Sequence, residues 1–259
     1  MFLLIPVFAL LGLATGSFLN VCIDRLPQGQ SIINPPSHCS TCNHKLGILD
    51  LVPLFSYLWL RGRCHYCQAP IPLRLPVVEG VTGLLFALLY WNYGLGLELG
   101  ISLVYTCLLT IIFVIDLENQ LVLDIIVYPG MVIAIVLSLF WPGMEVIDLV
   151  PEGAPGRITS SLAGGVLGLA MMALPFVIYR QGMGFGDVKL GALVGLMTGY
   201  PLILVAILQS WILGGLVAAI LLALGIKKRK DPLPFAIFLA LSAMVTLLWG
   251  QAIWQWYLP

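Results

Sequence analysis

The chain has 259 residues, of which 60% are hydrophobic and 9% charged, with 12 Lys+Arg balanced by 12 Asp+Glu. Soluble domains carry about 25% charged residues, so this chain cannot cover a globular surface in water, and a soluble enzyme is excluded. The apolar excess excludes a disordered chain, and the missing basic excess excludes nucleic acid as a partner.

A membrane-spanning helix needs about 20 mostly apolar residues, within a range of roughly 17–25. In chain order, such runs occupy 2–23, 77–93, 99–117, 125–141, 158–179, 188–200, 202–225 and 233–257. The first is read as a retained helix, because no positive n-region precedes it and Arg25 follows it. The run 188–200 is short and ends at Pro201. Treating 188–225 as one kinked unit would give six or seven spans. The expected fold is all-α: a polytopic membrane helical bundle of about eight transmembrane helices in the lipid bilayer, with a small cytoplasmic zinc-ribbon-like insertion. Its expected divisions are a first transmembrane helix over 1–23, a four-cysteine loop domain over 24–76 and a seven-helix membrane domain over 77–259.

Basic residues orient the spans. Alternating eight spans from an outside N-terminus places Arg25, Lys45, Arg61, Arg63, Arg74, Arg180, Lys189, Lys227, Lys228, Arg229 and Lys230 inside, and only Arg157 outside. That asymmetry obeys the positive-inside rule and puts both termini outside. The loop 142–157, with Glu145, Asp148 and Glu152, then faces outward. Trp249, Trp254, Trp256 and Tyr257 read as an interfacial aromatic belt.

The polar segment 24–76 is rich in Pro, Gly, Cys and His and has no helical period. It contains Cys39-Ser-Thr-Cys42, then 21 residues, then Cys64-His-Tyr-Cys67. Each CxxC turn aims two sulfurs at one centre, and two turns supply the tetrahedral thiolate shell that zinc prefers. A closed four-cysteine shell leaves no open position, so such a zinc is structural. A redox role and unmetallated thiols are the alternatives. His38, His44 and His65 stand beside the cysteines, and one of them could replace a cysteine as ligand. Cys22 and Cys107 read as small buried hydrophobes.

Charged groups inside a membrane segment cost roughly 2.5–3.5 kcal/mol each. Asp116 ends the third span and Asp187 follows Gly184-Phe185-Gly186 at the start of the sixth. The topology puts both on the cytoplasmic side at similar depth. Two carboxylates in one site do not both ionise readily, and a pair sharing a proton activates water against a peptide carbonyl. Glycines beside Asp187 allow close backbone approach. Taken singly, Asp116 also fits an interface marker and Asp187 a helix cap, and the two together fit an ion relay. Asp124, Glu118 and Glu79 read as interfacial. Lys189, two residues beyond Asp187, fits either an interfacial lysine or a group orienting Asp187.

These motifs, in this order, resemble the prepilin peptidases (type IV leader peptidases). Gly16-Ser17-Phe18-Leu19-Asn20-Val21 with Arg25-Leu26-Pro27 resembles that family's first-span signature. The cysteine pairs flanking Leu51–Leu58 resemble its zinc loop, and Arg74–Glu79 its entry to the second span. Ile115-Asp116 and Gly184-Phe185-Gly186-Asp187 resemble its two catalytic-aspartate sites, the second being the GxGD motif. The resemblance implies a bacterial inner-membrane aspartic endopeptidase with catalytic Asp116 and Asp187. Its substrates would be prepilins and pseudopilins of type IV pili and type II secretion, cut after a Gly on the cytoplasmic side. Many members also N-methylate the new N-terminal residue, usually Phe, with S-adenosylmethionine. Gly184, Gly186, Lys189, Glu79 and Asp124 are the implied supporting residues. Leu123-Asp124 stands where the family commonly has Pro-Asp, and Pro234-Phe235-Ala236-Ile237 where it often has Pro-Phe-Gly-Pro. Asp24 before Arg25 is also unusual. The rival readings are a proton-relay or transport protein and a non-catalytic membrane scaffold.

Overall fold

The computed structural model describes residues 2–141, 153–178, 184–226, 228 and 233–257. The acidic residues expected in the outside loop, and Arg180, Lys227, Arg229 and Lys230, lie outside the described residues. In lipid every backbone polar group must be satisfied within its own element, and the apolar runs accordingly form helices. They are α1 (Ile5–Arg25), α3 (Arg74–Tyr93), α4 (Leu97–Asn119), α5 (Asp124–Ser138), α6 (Ala154–Ile178), α7 (Phe185–Thr198), α8 (Leu202–Ala223) and α9 (Phe235–Tyr257). A short helix, α2 (Phe55–Trp59), lies within the cysteine segment. Among the described residues no strand forms. Six of these helices (α1, α3, α4, α6, α8 and α9) are long and apolar enough to cross a membrane. The chain is a multi-pass membrane protein.

The chain divides into two compact units, Met1–Leu99 and Gly100–Pro259. In the first, α1 and α3 pack closely through small residues. A Cβ on Gly12 would stand 2.7 Å from the Thr82 carbonyl oxygen, and one on Gly16 would stand 2.8 Å from the Glu79 Cα. Phe8 stacks on Tyr90 at 4.6 Å, and the Asn20 side-chain amide donates to the Leu75 carbonyl at 3.0 Å.

In the second unit α7 is the central helix. It has 14 residues, and those from Val188 to Thr198 are buried apart from Lys189. The short apolar run at 188–200 therefore has a physical reason: protein surrounds this helix, so it need not match the bilayer thickness by itself. It ends at Gly199, with φ 71°, and Pro201 precedes α8, so 188–225 forms two helices. Its grip on α6 is a small-xxx-small contact. Gly168 lies against the Gly191 carbonyl and Gly195 against the Gly164 carbonyl, so a Cβ at any of the four would fall on backbone or a packed side chain. The Ser161 hydroxyl donates to Leu196 O at 2.7 Å and that of Ser160 to Tyr200 O at 2.8 Å, locking the register.

Gly195→Leu drives a side chain into the α6 backbone. It is expected to destabilise the protein by about 3 kcal/mol or prevent folding. Gly215→Leu, where an added Cβ meets nothing within 4 Å, should stay within about 0.5 kcal/mol of wild type. Thermal unfolding followed by circular dichroism in detergent checks both.

Candidate active site

On α4, Tyr105, Leu109 and Ile112 form one buried face at helical spacing, each no more than 1% exposed. Asp116 is the next residue on that face and is 3% exposed. Its carboxylate therefore turns into the helix bundle, where it needs donors. The Ile237 backbone N–H donates to its Oδ2 at 3.2 Å, and the Ala236 N–H also bonds the carboxylate. These N–H groups belong to the first turn of α9, where no intrahelical acceptor exists and the helix dipole favours an anion. Asp116 thus caps a helix that begins more than a hundred residues later.

Asp187 is the third residue of α7 and is 8% exposed. The Gly184 N–H donates to its Oδ2 at 3.2 Å, while the Asp187 N–H donates to Gly184 O at 3.1 Å. It caps its own helix, as its position suggested, and also lies within electrostatic reach of Asp116. The structure thus brings together two buried carboxyl groups, each steadied by backbone N–H groups at a helix start.

Gly186 is needed for close approach, since a Cβ there would come within 2.8 Å of Val122 Cβ. The N-terminus of α7 thus abuts the loop that follows Asp116. At Gly184 an added Cβ would make only ordinary contacts, the nearest at 3.8 Å. Leu123 has φ −81° and ψ 125°, an extended conformation that a proline could also take. The Leu-for-Pro difference therefore leaves this bend intact. Lys189 reaches Asp124 and not Asp187, with Nζ at 2.7 and 2.9 Å from the two Asp124 oxygens. It also lies 5.2 Å from the Tyr128 ring centroid and 5.0 Å from that of Phe185. This pair ties α7 to the first residue of α5.

Glu79 and the cysteines lie in the first unit. Glu79 Oε2 accepts the Leu54 N–H at 2.8 Å and anchors the start of α2. The four sulfurs of Cys39, Cys42, Cys64 and Cys67 lie within 4.8 Å of one another, and none of the three histidines joins them. The Cys39 and Cys67 sulfurs are 3.8 Å apart. That matches the edge of a zinc tetrahedron with Zn–S bonds of about 2.3 Å and is far longer than a disulfide. The two CxxC turns share one backbone pattern. Asn43 N–H donates to Cys39 O and Gln68 N–H to Cys64 O, and the residue after each motif has positive φ. Bridges His38–Lys45 and Arg63–Pro70 close the two turns alike. The Cys42 and Thr41 backbone N–H groups pull the Cys39 thiol down to about 6, towards the thiolate a metal requires. His65 Nδ1 lies 3.3 Å from Asp50 Oδ1, beside the cluster and not in it.

The family model described as "Bacterial Peptidase A24 N-terminal domain" matches residues 10–93, and that of the "Type IV leader peptidase family" matches 103–250. This chain belongs to the type IV leader peptidase family. It is 33% identical to the prepilin leader peptidase/N-methyltransferase of Stutzerimonas stutzeri, an alignment covering 96% of this chain and 91% of the relative. It is 31% identical to the protein of that name from Pseudomonas aeruginosa, over 96% and 91%. The protein of that name from Bacillus subtilis is 30% identical over 98% of both chains. No solved structure matches with significance.

Within this leader peptidase, sequence motifs point to Asp116 and Asp187 but not to their backbone donors. The donor at Ile237 is a backbone N–H, which a proline at that position would remove. Ile237→Pro is therefore expected to keep α9, because proline is tolerated in a first turn. It should lower peptidase kcat by about tenfold through loss of one charge-assisted hydrogen bond. Steady-state cleavage of a prepilin in proteoliposomes measures this.

Proposed function

We propose that this leader peptidase is an aspartic endopeptidase that removes the leaders of type IV prepilins and pseudopilins, with Asp116 and Asp187 as its catalytic pair. The observation that carries the reading is the pairing of two buried carboxyl groups within electrostatic reach, both fixed by backbone N–H groups. Like charges so placed favour a state with one shared proton. The ionised carboxylate accepts a proton from a water as its oxygen attacks the scissile carbonyl carbon. The protonated partner donates to the carbonyl oxygen. The tetrahedral species then collapses, and the leaving amine takes a proton from the pair. Lys189 and Asp124 act as positioning residues by holding α7 against α5, and Gly186 sets the approach of α7 to the loop after Asp116.

The chemistry takes place on the cytoplasmic side of the bacterial inner membrane in this proposal, with both termini periplasmic. The support is the distribution of Lys and Arg, with 11 residues on one face and one on the other. The cysteine module takes a structural zinc. Its four thiolates have the right donor chemistry and spacing, and the closed set leaves no position for a catalytic water. The relatives' shared name supports a second activity, N-methylation of the newly exposed N-terminal amine. S-adenosylmethionine is the proposed methyl donor and would supply an electrophilic methyl group on a sulfonium.

Leader removal by purified protein in proteoliposomes tests the peptidase reading. Asp116→Asn and Asp187→Asn should each lower kcat by about 10³-fold or more, within the range of acid–base contributions. Asp124→Asn should stay within about tenfold of wild type. Full activity in either of the first two variants contradicts the assignment, and a scaffold would tolerate both.

A further inference from the structure

The cysteine module carries large apolar side chains on its outside. On α2, Phe55, Leu58 and Trp59 stand at i, i+3 and i+4, which is one face of a helix, and they are 61%, 73% and 78% exposed. Ser56 and Tyr57, on the other side, are half-buried and line the module's internal cavity. The helix is thus inside out for an element in water, which would turn its apolar stripe to the core. The Phe55 and Trp59 rings lie 6.0 Å apart and form one aromatic surface. The preceding turn adds Ile48 and Leu49, both exposed.

Helix α3 fixes where this face lies. Glu79 accepts the Leu54 N–H at 2.8 Å, and a Cβ on Gly80 would stand 3.8 Å from Leu54 Cδ1. Glu79 and Gly80 are the sixth and seventh residues of α3, roughly 7–9 Å along it at about 1.5 Å per residue. They lie inside the apolar run that begins at 77. Around Gly80 on the helix surface stand Val77, Val81 and Leu84, all exposed. On a helix that crosses a membrane, such residues face lipid. Helix α2 therefore hangs from α3 beside its lipid-facing stripe, at a depth where lipid surrounds the span.

Charge around the patch agrees with this depth. Between His44 and Arg63 the one carboxylate is Asp50, whose side chain is 9% exposed and takes the Gly47 N–H at 3.0 Å. Lys45, Arg61 and Arg63 are exposed. Aromatic and aliphatic groups rimmed by cations match a phospholipid boundary, with acyl carbon on one side and phosphate on the other. A second copy of the chain or an apolar partner helix would cover the aliphatic groups and leave the cations without anions.

We propose that α2 lies in the headgroup boundary of the bilayer as an in-plane anchor, with Phe55, Leu58 and Trp59 among the acyl chains and Lys45, Arg61 and Arg63 at the lipid phosphates. A five-residue helix is too short to hold itself on a membrane, and the tie from Glu79 to Leu54 removes that burden. The cysteine module is then fixed at two points, one on α3 and one on lipid.

The test uses the full chain at one copy per lipid nanodisc. The chain has 7 Trp, so the emission of Trp59 is read as the difference between wild type and Trp59→Phe. Phosphatidylcholine brominated at the headgroup end of its acyl chains should quench most of that component. Phosphatidylcholine brominated near the terminal methyls should quench it less, and aqueous acrylamide should quench it little. Quenching by acrylamide and not by brominated lipid means a water-facing helix and overturns the proposal. Quenching by neither means that protein covers the face and also overturns it. A second measurement needs no variant: phosphatidylcholine with a photoreactive diazirine in its acyl chain, mapped by mass spectrometry, should label peptides within 48–59 as well as α3. Label on α3 with none in 48–59 contradicts the anchor.

Discussion

The site of this protein depends on how closely α6 and α7 approach. With glycine at 164, 168, 191 and 195, the two backbones meet directly, and no larger residue would permit this spacing. That contact keeps α7 in the interior of its unit, buried from Asp187 to Thr198 apart from Lys189. A charged residue in its first turn then faces protein donors and not lipid. Without that approach Asp187 would sit on an interfacial helix with a bilayer-facing side, where a carboxylate costs energy and does no chemistry.

The same economy of donors governs Asp116. Helix starts leave backbone N–H groups without partners, and a membrane interior offers no water to satisfy them. The second unit resolves both needs together, since the first turn of α9 satisfies Asp116 and Asp116 satisfies α9. Asp187 does the same for its own helix through Gly184. The carboxyl groups proposed to cleave peptides therefore also stabilise the helices that carry them or face them. Conservative Asn replacements preserve an acceptor for those N–H groups, so they are the right probes for separating chemistry from folding.

Much of the architecture is legible in the sequence because lipid imposes a long, unambiguous signal. All eight apolar runs become helices, with ends shifted by a few residues. The cysteine pairs are legible because metal geometry demands short spacings, although the matching of the two turns lies in backbone conformation and not in residue identity. Asp116 and Asp187 stand out because charge in a span is expensive. Their partners do not, since a backbone N–H on Ile237 has no signature in residue type. Lys189 shows the same limit: the nearest carboxylate in sequence is Asp187, yet the tertiary partner is Asp124, 65 positions away. The Gly-x-x-x-Gly spacings on α6 and α7 are plain in the sequence, but hydropathy passes over them because glycine contributes little to it.

As proposed, the second unit holds the peptide-cleaving pair and the first holds the four-cysteine module that takes a zinc. Asp116 and Asp187 are proposed to work as one unit with a single shared proton. The pH dependence of kcat/KM for leader removal by the wild type in proteoliposomes tests that claim most directly. A singly protonated pair predicts a bell-shaped profile, with activity falling on the acid side as the base gains a proton and on the alkaline side as the acid loses one. A rate that rises with pH to a plateau, with no alkaline fall, would mean one carboxylate acting alone and would contradict the account.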